Sequence, residues 1–88
     1  MFDKIKMLQQ AKAMQQQMEK TTLTEEANGI SITVNGKQQM INIEIIDTDL
    51  LQDKEKLEKS ILDTFNIAAN RSQMEMAKKM QSEMGGLF

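Results

Sequence analysis

Few side chains in this sequence are capable of chemistry, and nearly all of them are amines or carboxylates. There is no His and no Cys, so imidazole and thiolate metal sites are excluded, as is any Cys or His nucleophile or base. A Ser/His/Asp set and a Glu-x-x-His pair both need His, and no Gly-rich phosphate loop is present. Glu25-Glu26 are adjacent carboxylates, but successive residues of a strand face opposite ways, so the two are read as solvated acids. Asp47-Thr48-Asp49 with Glu58 eleven residues after Asp47 resembles a calcium loop. It fails because Leu51 stands where a third oxygen ligand belongs and Gln52 where the obligatory glycine belongs. The acids are explained more simply by the N-terminus of a following helix. No enzyme, cofactor or metal is expected.

The cations are more informative. Lys4, Lys6 and Lys12 lie near one end of the chain, and Arg71, Lys78 and Lys79 near the other. Residues 1–20 carry four Lys against two acids, net +2, and residues 71–88 carry three cations against two acids, net +1. Residues 21–70 carry four Lys against nine acids, net −5, which completes the total of −2. Any one of these lysines is ordinarily a solvated surface residue; their segregation from the acids carries the signal. Aromatic residues for base stacking are scarce, with Phe2, Phe65 and Phe88 and no Tyr or Trp. Phosphate contact without stacking suits double-stranded DNA better than single strands or RNA. The expected DNA-contacting set is Lys4, Lys6, Lys12, Arg71, Lys78 and Lys79.

These cations must be carried by helices. From about Asp3, a candidate N-cap, to Lys20 there is no Gly or Pro, and Met7, Ala11, Met14 and Met18 recur at helical spacing. Gln15-Gln16-Gln17 reads as a solvated face. From 22 to 46 the period changes to two: Ile30, Ile32 and Val34 alternate with polar residues, and so do Ile41, Ile43 and Ile45. Asn28-Gly29 and Asn35-Gly36 are hairpin signals, because both turn positions require positive φ. Together with an extended Thr22–Ala27 they predict a three-stranded antiparallel meander. After a turn at Asp47-Thr48-Asp49-Leu50-Leu51, a long helix is predicted from about Asp53 to Glu83. Gly85-Gly86 should stop it, and Leu87-Phe88 should form a frayed tail. Leu57, Ile61, Phe65 and Ala68 form its expected sheet-facing line, and Met76, Met80 and Met84, with Ala77 beside them, continue an apolar line.

The fold class predicted is therefore α+β, as one domain over residues 1–88. A strand of about seven residues spans roughly 23 Å, whereas a helix of about thirty spans roughly 45 Å. The second helix must overhang the sheet, and pairing its Met line with that of the first helix makes a protruding antiparallel arm that bears the cations. A chain this short buries only about 60–65% of its unfolded surface. Without disulfides or metal it is expected to gain core by pairing as a homodimer. The absence of Cys fits a reducing compartment. The N-terminus has no apolar run of signal-peptide length, and no segment approaches the ~18 apolar residues of a membrane span. A cytoplasmic location is expected, with no membrane partner and no small-molecule substrate.

The layout resembles the YbaB/EbfC family of bacterial nucleoid-associated proteins. The resemblance is carried by Met7-Leu8-Gln9-Gln10-Ala11-Lys12-Ala13-Met14-Gln15-Gln16-Gln17-Met18, Ile32-Thr33-Val34-Asn35-Gly36 and Asp47-Thr48-Asp49-Leu50-Leu51. Asp53-Lys54-Glu55-Lys56-Leu57-Glu58, Phe65-Asn66-Ile67-Ala68-Ala69 and the ending Gly85-Gly86-Leu87-Phe88 extend it over essentially the whole chain. It implies a tweezer-like homodimer at the nucleoid, whose protruding helices bind duplex DNA with low sequence specificity and influence nucleoid organisation and gene expression. The family's DNA contacts on the first and last helices map loosely onto Lys4, Lys6, Lys12, Arg71, Lys78 and Lys79. The rival reading is a non-enzymatic adaptor whose Met-rich arms hold a protein partner. The small core generates the first prediction: sedimentation at micromolar concentration should give about twice the 10.1 kDa chain mass, and a stable folded monomer would refute it.

Overall fold

The structure is a computed structural model and describes residues 2–84, with side chains described for 4–82. Its elements run α1 (Phe2–Lys20), β1 (Thr22–Ala27), β2 (Ile30–Asn35), β3 (Met40–Ile45), a 3-10 turn (Thr48–Gln52) and α2 (Lys54–Met84). The strands form one antiparallel meander in the order β1-β2-β3, so the predicted α+β arrangement is the observed one. The expected Gly85-Gly86 stop and Leu87-Phe88 tail lie outside the described residues. α1 begins at Phe2, so Asp3 stands inside its first turn rather than at the predicted cap. Thr21 closes α1: its backbone N–H and its hydroxyl both donate to the Gln17 carbonyl, at 3.0 and 2.8 Å.

The two Asn-Gly pairs turn out differently. Asn28 and Gly29 have φ of 55° and 80°, the left-handed pair expected of a two-residue hairpin turn. The Gly29 carbonyl accepts from both Ile46 N and Asp47 N at 2.9 Å, which ties this turn to the end of β3. Asn35-Gly36 does not make the predicted tight turn. The loop is longer, and the positive φ falls on Gln38, at 65°. The Asn35 side chain organises it: Oδ1 accepts from Lys37 N at 2.9 Å and Gln39 N at 3.0 Å, and Nδ2 donates to Gln39 Oε1 at 2.8 Å. A register shift beside Val34 lets that residue pair with Met40. Gly36 is required for space. Its N–H donates to the Met18 carbonyl at 2.8 Å, and an added Cβ would lie 2.8 Å from both that oxygen and Met76 Sδ.

The core departs from the predicted helix line. Ile30, Ile32, Val34, Leu50 and Ala68 are buried. Along α2 the buried residues are Ser60, Thr64, Ala68 and Ser72, one every four residues. Leu57, Ile61 and Phe65 are only partly buried and pack on the flank of this cluster. Small side chains let the helix approach the sheet closely, and their hydroxyls are satisfied there. Thr64 Oγ1 donates to the Ala27 carbonyl at 3.1 Å and accepts from Asn28 Nδ2 at 3.2 Å, while Ser72 Oγ donates to the Asn35 carbonyl at 2.8 Å. Asp53 caps α2, accepting Lys56 N on Oδ1 at 3.1 Å. Asp47 caps the 3-10 turn through Asp49 N at 3.0 Å, so these acids serve helix starts. α2 lies over β1 and β2, leaving Ile41 and Ile43 of β3 exposed at 53% and 40%, contrary to the buried face predicted for them.

Two substitutions test this packing. Gly36→Ala should lose about 2 kcal/mol or more, because the nearest obstacle is backbone and cannot swing aside. Ile32→Ala should cost about 2–5 kcal/mol in denaturant unfolding, as for a fully enclosed aliphatic side chain.

Candidate nucleic-acid interface

Ser72 is the last buried residue of α2. The described part of α2 continues from residue 73 to Met84, a further rise of roughly 18 Å that carries it beyond the sheet. The molecule is accordingly elongated, 59 × 25 × 15 Å. α1 runs beside this extension, and Met14, Gln17 and Met18 line a narrow cleft with Met76, Lys79 and Met80. The predicted Met seam therefore exists near the sheet. Farther out it is incomplete: Met7 and Leu8 are exposed at 67% and 70%, and Ala77 is exposed.

All six predicted cations are exposed and all lie on the two arm helices. Lys4 borders a shallow apolar depression with Met7, Leu8 and Ala11. At 100° per residue, Lys6 and Lys12 project from other sides of α1. On α2, Arg71 and Lys79 line one cleft with Thr21, Thr22, Leu23, Ser72, Glu75 and Met76. Lys79 also borders the Met cleft. Lys78 turns away by 100° and pairs with Glu75 at 3.9 Å. The fold thus gathers Arg71 and Lys79 at the root of the arm and leaves Lys4, Lys6 and Lys12 strung along α1. Thr21 and Thr22 add two hydroxyls to the root cleft. Sequence reasoning passed over them because only the closure of α1 onto the sheet brings them beside Arg71.

The electrostatics of the root are mixed. Arg71 bridges to Glu25 on β1, and the Glu25 side chain is 15% exposed against 57% for Arg71. Lys37 pairs with Glu19 at 2.9 Å, joining the β2–β3 loop to α1. Ion pairs this exposed contribute about 0–1 kcal/mol, so a phosphate can replace the carboxylate partner at small cost. The cleft is suited to anion contact; among the described residues no cluster of three or more acids is placed to hold a metal.

Comparison with known proteins gives four concordant results. A model of the YbaB/EbfC DNA-binding family matches residues 1–87. A nucleoid-associated protein of Chlorobium phaeovibrioides is 32% identical, over 98% of this chain and 84% of that one. A nucleoid-associated protein of Acidobacterium capsulatum is 33% identical, over 98% of this chain and 91% of its own. The crystal structure of an uncharacterized protein from Helicobacter pylori superposes with a TM-score of 0.67 at 21% identity, covering 89% of this chain and 93% of that one, which shows a shared fold.

The Arg71–Glu25 bridge yields a prediction of opposite sign to most site substitutions. Glu25→Gln releases the guanidinium and removes a negative charge, so duplex DNA should be held about two- to five-fold more tightly at low salt. The gain should vanish at high salt. Weaker binding at low salt would show that the bridge positions Arg71 rather than competing for it.

Proposed function

Because the chain belongs to the YbaB/EbfC DNA-binding family, we propose that its nucleoid DNA-binding function is exercised by the helical arms of a homodimer. One observation carries this reading: all six arm cations are exposed on α1 and α2, while nine of the thirteen acids lie between, in residues 21–70. Lys4, Lys6, Lys12, Arg71, Lys78 and Lys79 meet backbone phosphates, and the acidic body is repelled from the duplex. The duplex is thereby confined to the arms without any base being read. Affinity comes from counterions released as phosphates are neutralised. The protein acts by binding and not by catalysis, in the cytoplasm at the nucleoid, where coating and bridging of DNA influence its organisation and expression.

The adaptor reading draws on one observation, the exposed apolar face of α1 at Ile5, Met7 and Leu8. Gel retention of duplex DNA separates the two. On the DNA reading, log affinity falls with log salt at a slope near −0.9 per phosphate contact, so six contacts cost about 10³ in affinity between 50 and 200 mM salt. The Lys78→Glu, Lys79→Glu double variant should lose retention with little change in melting temperature. The Lys54→Glu, Lys56→Glu pair, on the body, should behave like the parent. Retention that depends on the body pair and ignores the arm pair would refute the arm assignment.

A further inference from the structure

We infer that the thioethers of Met14 and Met80 are a modification site: peroxide converts them to sulfoxides, which loosens α1 from α2 and weakens the hold of the arm on DNA. The effect on DNA rests on the arm reading above; the modification itself does not. The two helices meet at four methionines. Met14 and Met18 stand one turn apart on α1, and Met76 and Met80 one turn apart on α2. All four line one narrow cleft. The inner pair is held at the root of the arm and is half-buried. The Met18 carbonyl accepts from Gly36 N at 2.8 Å, and Met76 Sδ lies 2.8 Å from the place a Gly36 Cβ would take. The outer pair, one turn farther along the arm, is open to solvent, with Met14 41% and Met80 40% exposed.

Three observations make oxidation at the outer pair consequential. The first is the scarcity of other fastenings. Among the described residues no ion pair or side-chain hydrogen bond joins α1 to α2. The bonds that tie α1 to the body, Gly36 N to the Met18 carbonyl and Lys37 to Glu19, both lie in its last turn. Beyond that turn, thioether packing keeps the helices side by side. The second is the product. A sulfur lone pair attacks one peroxide oxygen, the S–O bond forms and the O–O bond breaks, and the other oxygen leaves as water. The sulfur is oxidised by two electrons and the peroxide reduced by two. A flexible apolar side chain thereby becomes polar and chiral, which disrupts a Met-rich contact. A thiol-dependent methionine sulfoxide reductase reverses the change, two thiols becoming a disulfide while the oxygen departs as water. The third is the neighbour. Lys79 lines the same cleft, and its ammonium is a donor for the new sulfoxide oxygen, so the oxidised seam competes with phosphate for one of the arm cations. Met7 and Met74 are more exposed, at 67% and 62%, but neither lines the cleft.

The full chain is treated with hydrogen peroxide, and tandem mass spectrometry of its tryptic peptides assigns each added oxygen. Amide hydrogen exchange over residues 4–17 and gel retention of duplex DNA at low salt are measured before and after, and again after a methionine sulfoxide reductase with a thiol reductant. The Met14→Leu, Met80→Leu variant conserves volume and cannot be oxidised at the outer seam. The Met7→Leu, Met74→Leu variant removes the more exposed thioethers outside it. Each protein is compared with itself. The expected result is oxygen at Met14 and Met80, faster exchange along α1 and retention weaker by about three- to ten-fold, on the scale of one or two lost phosphate contacts. All three changes are reversed by the reductase. The Met7→Leu, Met74→Leu variant responds like the parent, and the Met14→Leu, Met80→Leu variant does not. A parent oxidised at Met14 and Met80 with exchange or retention unchanged overturns the inference. So does a Met14→Leu, Met80→Leu variant that responds as the parent does, or a parent that takes up oxygen at Met74 and none at the outer seam. A parent that retains no DNA before treatment overturns the arm reading instead, and exchange along α1 then decides the modification.

Discussion

The close seating of α2 on the sheet determines the rest of the molecule. Ser60, Thr64, Ala68 and Ser72 form the buried line, and a bulkier line would hold the helix farther off. Two hydroxyl bonds, Thr64 to the Ala27 carbonyl and Ser72 to the Asn35 carbonyl, pin the helix at opposite ends of the hairpin. Past Ser72 no side chain among the described residues of α2 is buried, and the arm begins there. Met76 and Met80 follow one and two turns later, which places them to receive Met14 and Met18. The same strand end supplies Gly36, whose missing Cβ admits the Met18 carbonyl and Met76 Sδ. One small residue in the β2–β3 loop thus joins α1, the sheet and α2.

Charge is arranged around that joint. Arg71 to Glu25 links α2 to β1, and Lys37 to Glu19 links the β2–β3 loop to α1. Each pair crosses between elements and reinforces the angle at which the arm leaves the body. Each is also exposed enough to be worth little net energy. The root of the arm is therefore held mainly by packing and backbone bonds. Two acids of the body are used away from the arm: Asp47 and Asp53 cap helix starts.

Much of this was legible in the sequence, and the failures have physical causes. The order helix, meander, helix followed from periodicity, and Asn28-Gly29 formed its turn because its contacts, from Ile46 N and Asp47 N to the Gly29 carbonyl and from Asn28 Nδ2 to Thr64, are compatible with positive φ at both residues. Asn35-Gly36 has the same dipeptide but sits against α1, and the carbonyl of Met18 sets its geometry. Ser60, Thr64 and Ser72 were invisible as core because their hydroxyls read as polar, and only the strand-end carbonyls above them reveal the match. Leu57, Ile61 and Phe65 carried the apolar signal and proved to be flank. The alternation at Ile41 and Ile43 correctly marked a strand, but one chain supplies no cover for that face. The sequence placed the six cations on two helices, and the structure has them on α1 and α2, whereas the meeting of Arg71 and Lys79 with Thr21 and Thr22 depends on tertiary closure.

The chemistry of the arm also bears on what kind of binding it supports. Reading a guanine edge calls for an Arg fork held in a fixed pose. The chain has five Lys and one Arg in its cation set, and that Arg is engaged by Glu25. Lysines are compact point charges on flexible stems, suited to phosphate at many distances and angles. The seam beneath them is built from Met14, Met18, Met76 and Met80, unbranched side chains with soft thioethers that repack at little cost. A rigid seam of branched residues would fix the two helices at one separation and reward one groove geometry. A Met seam can repack at little cost, and flexible lysines above it suit contact with phosphate in varied geometry better than a fixed pose on base edges, which requires placement to within about half an ångström.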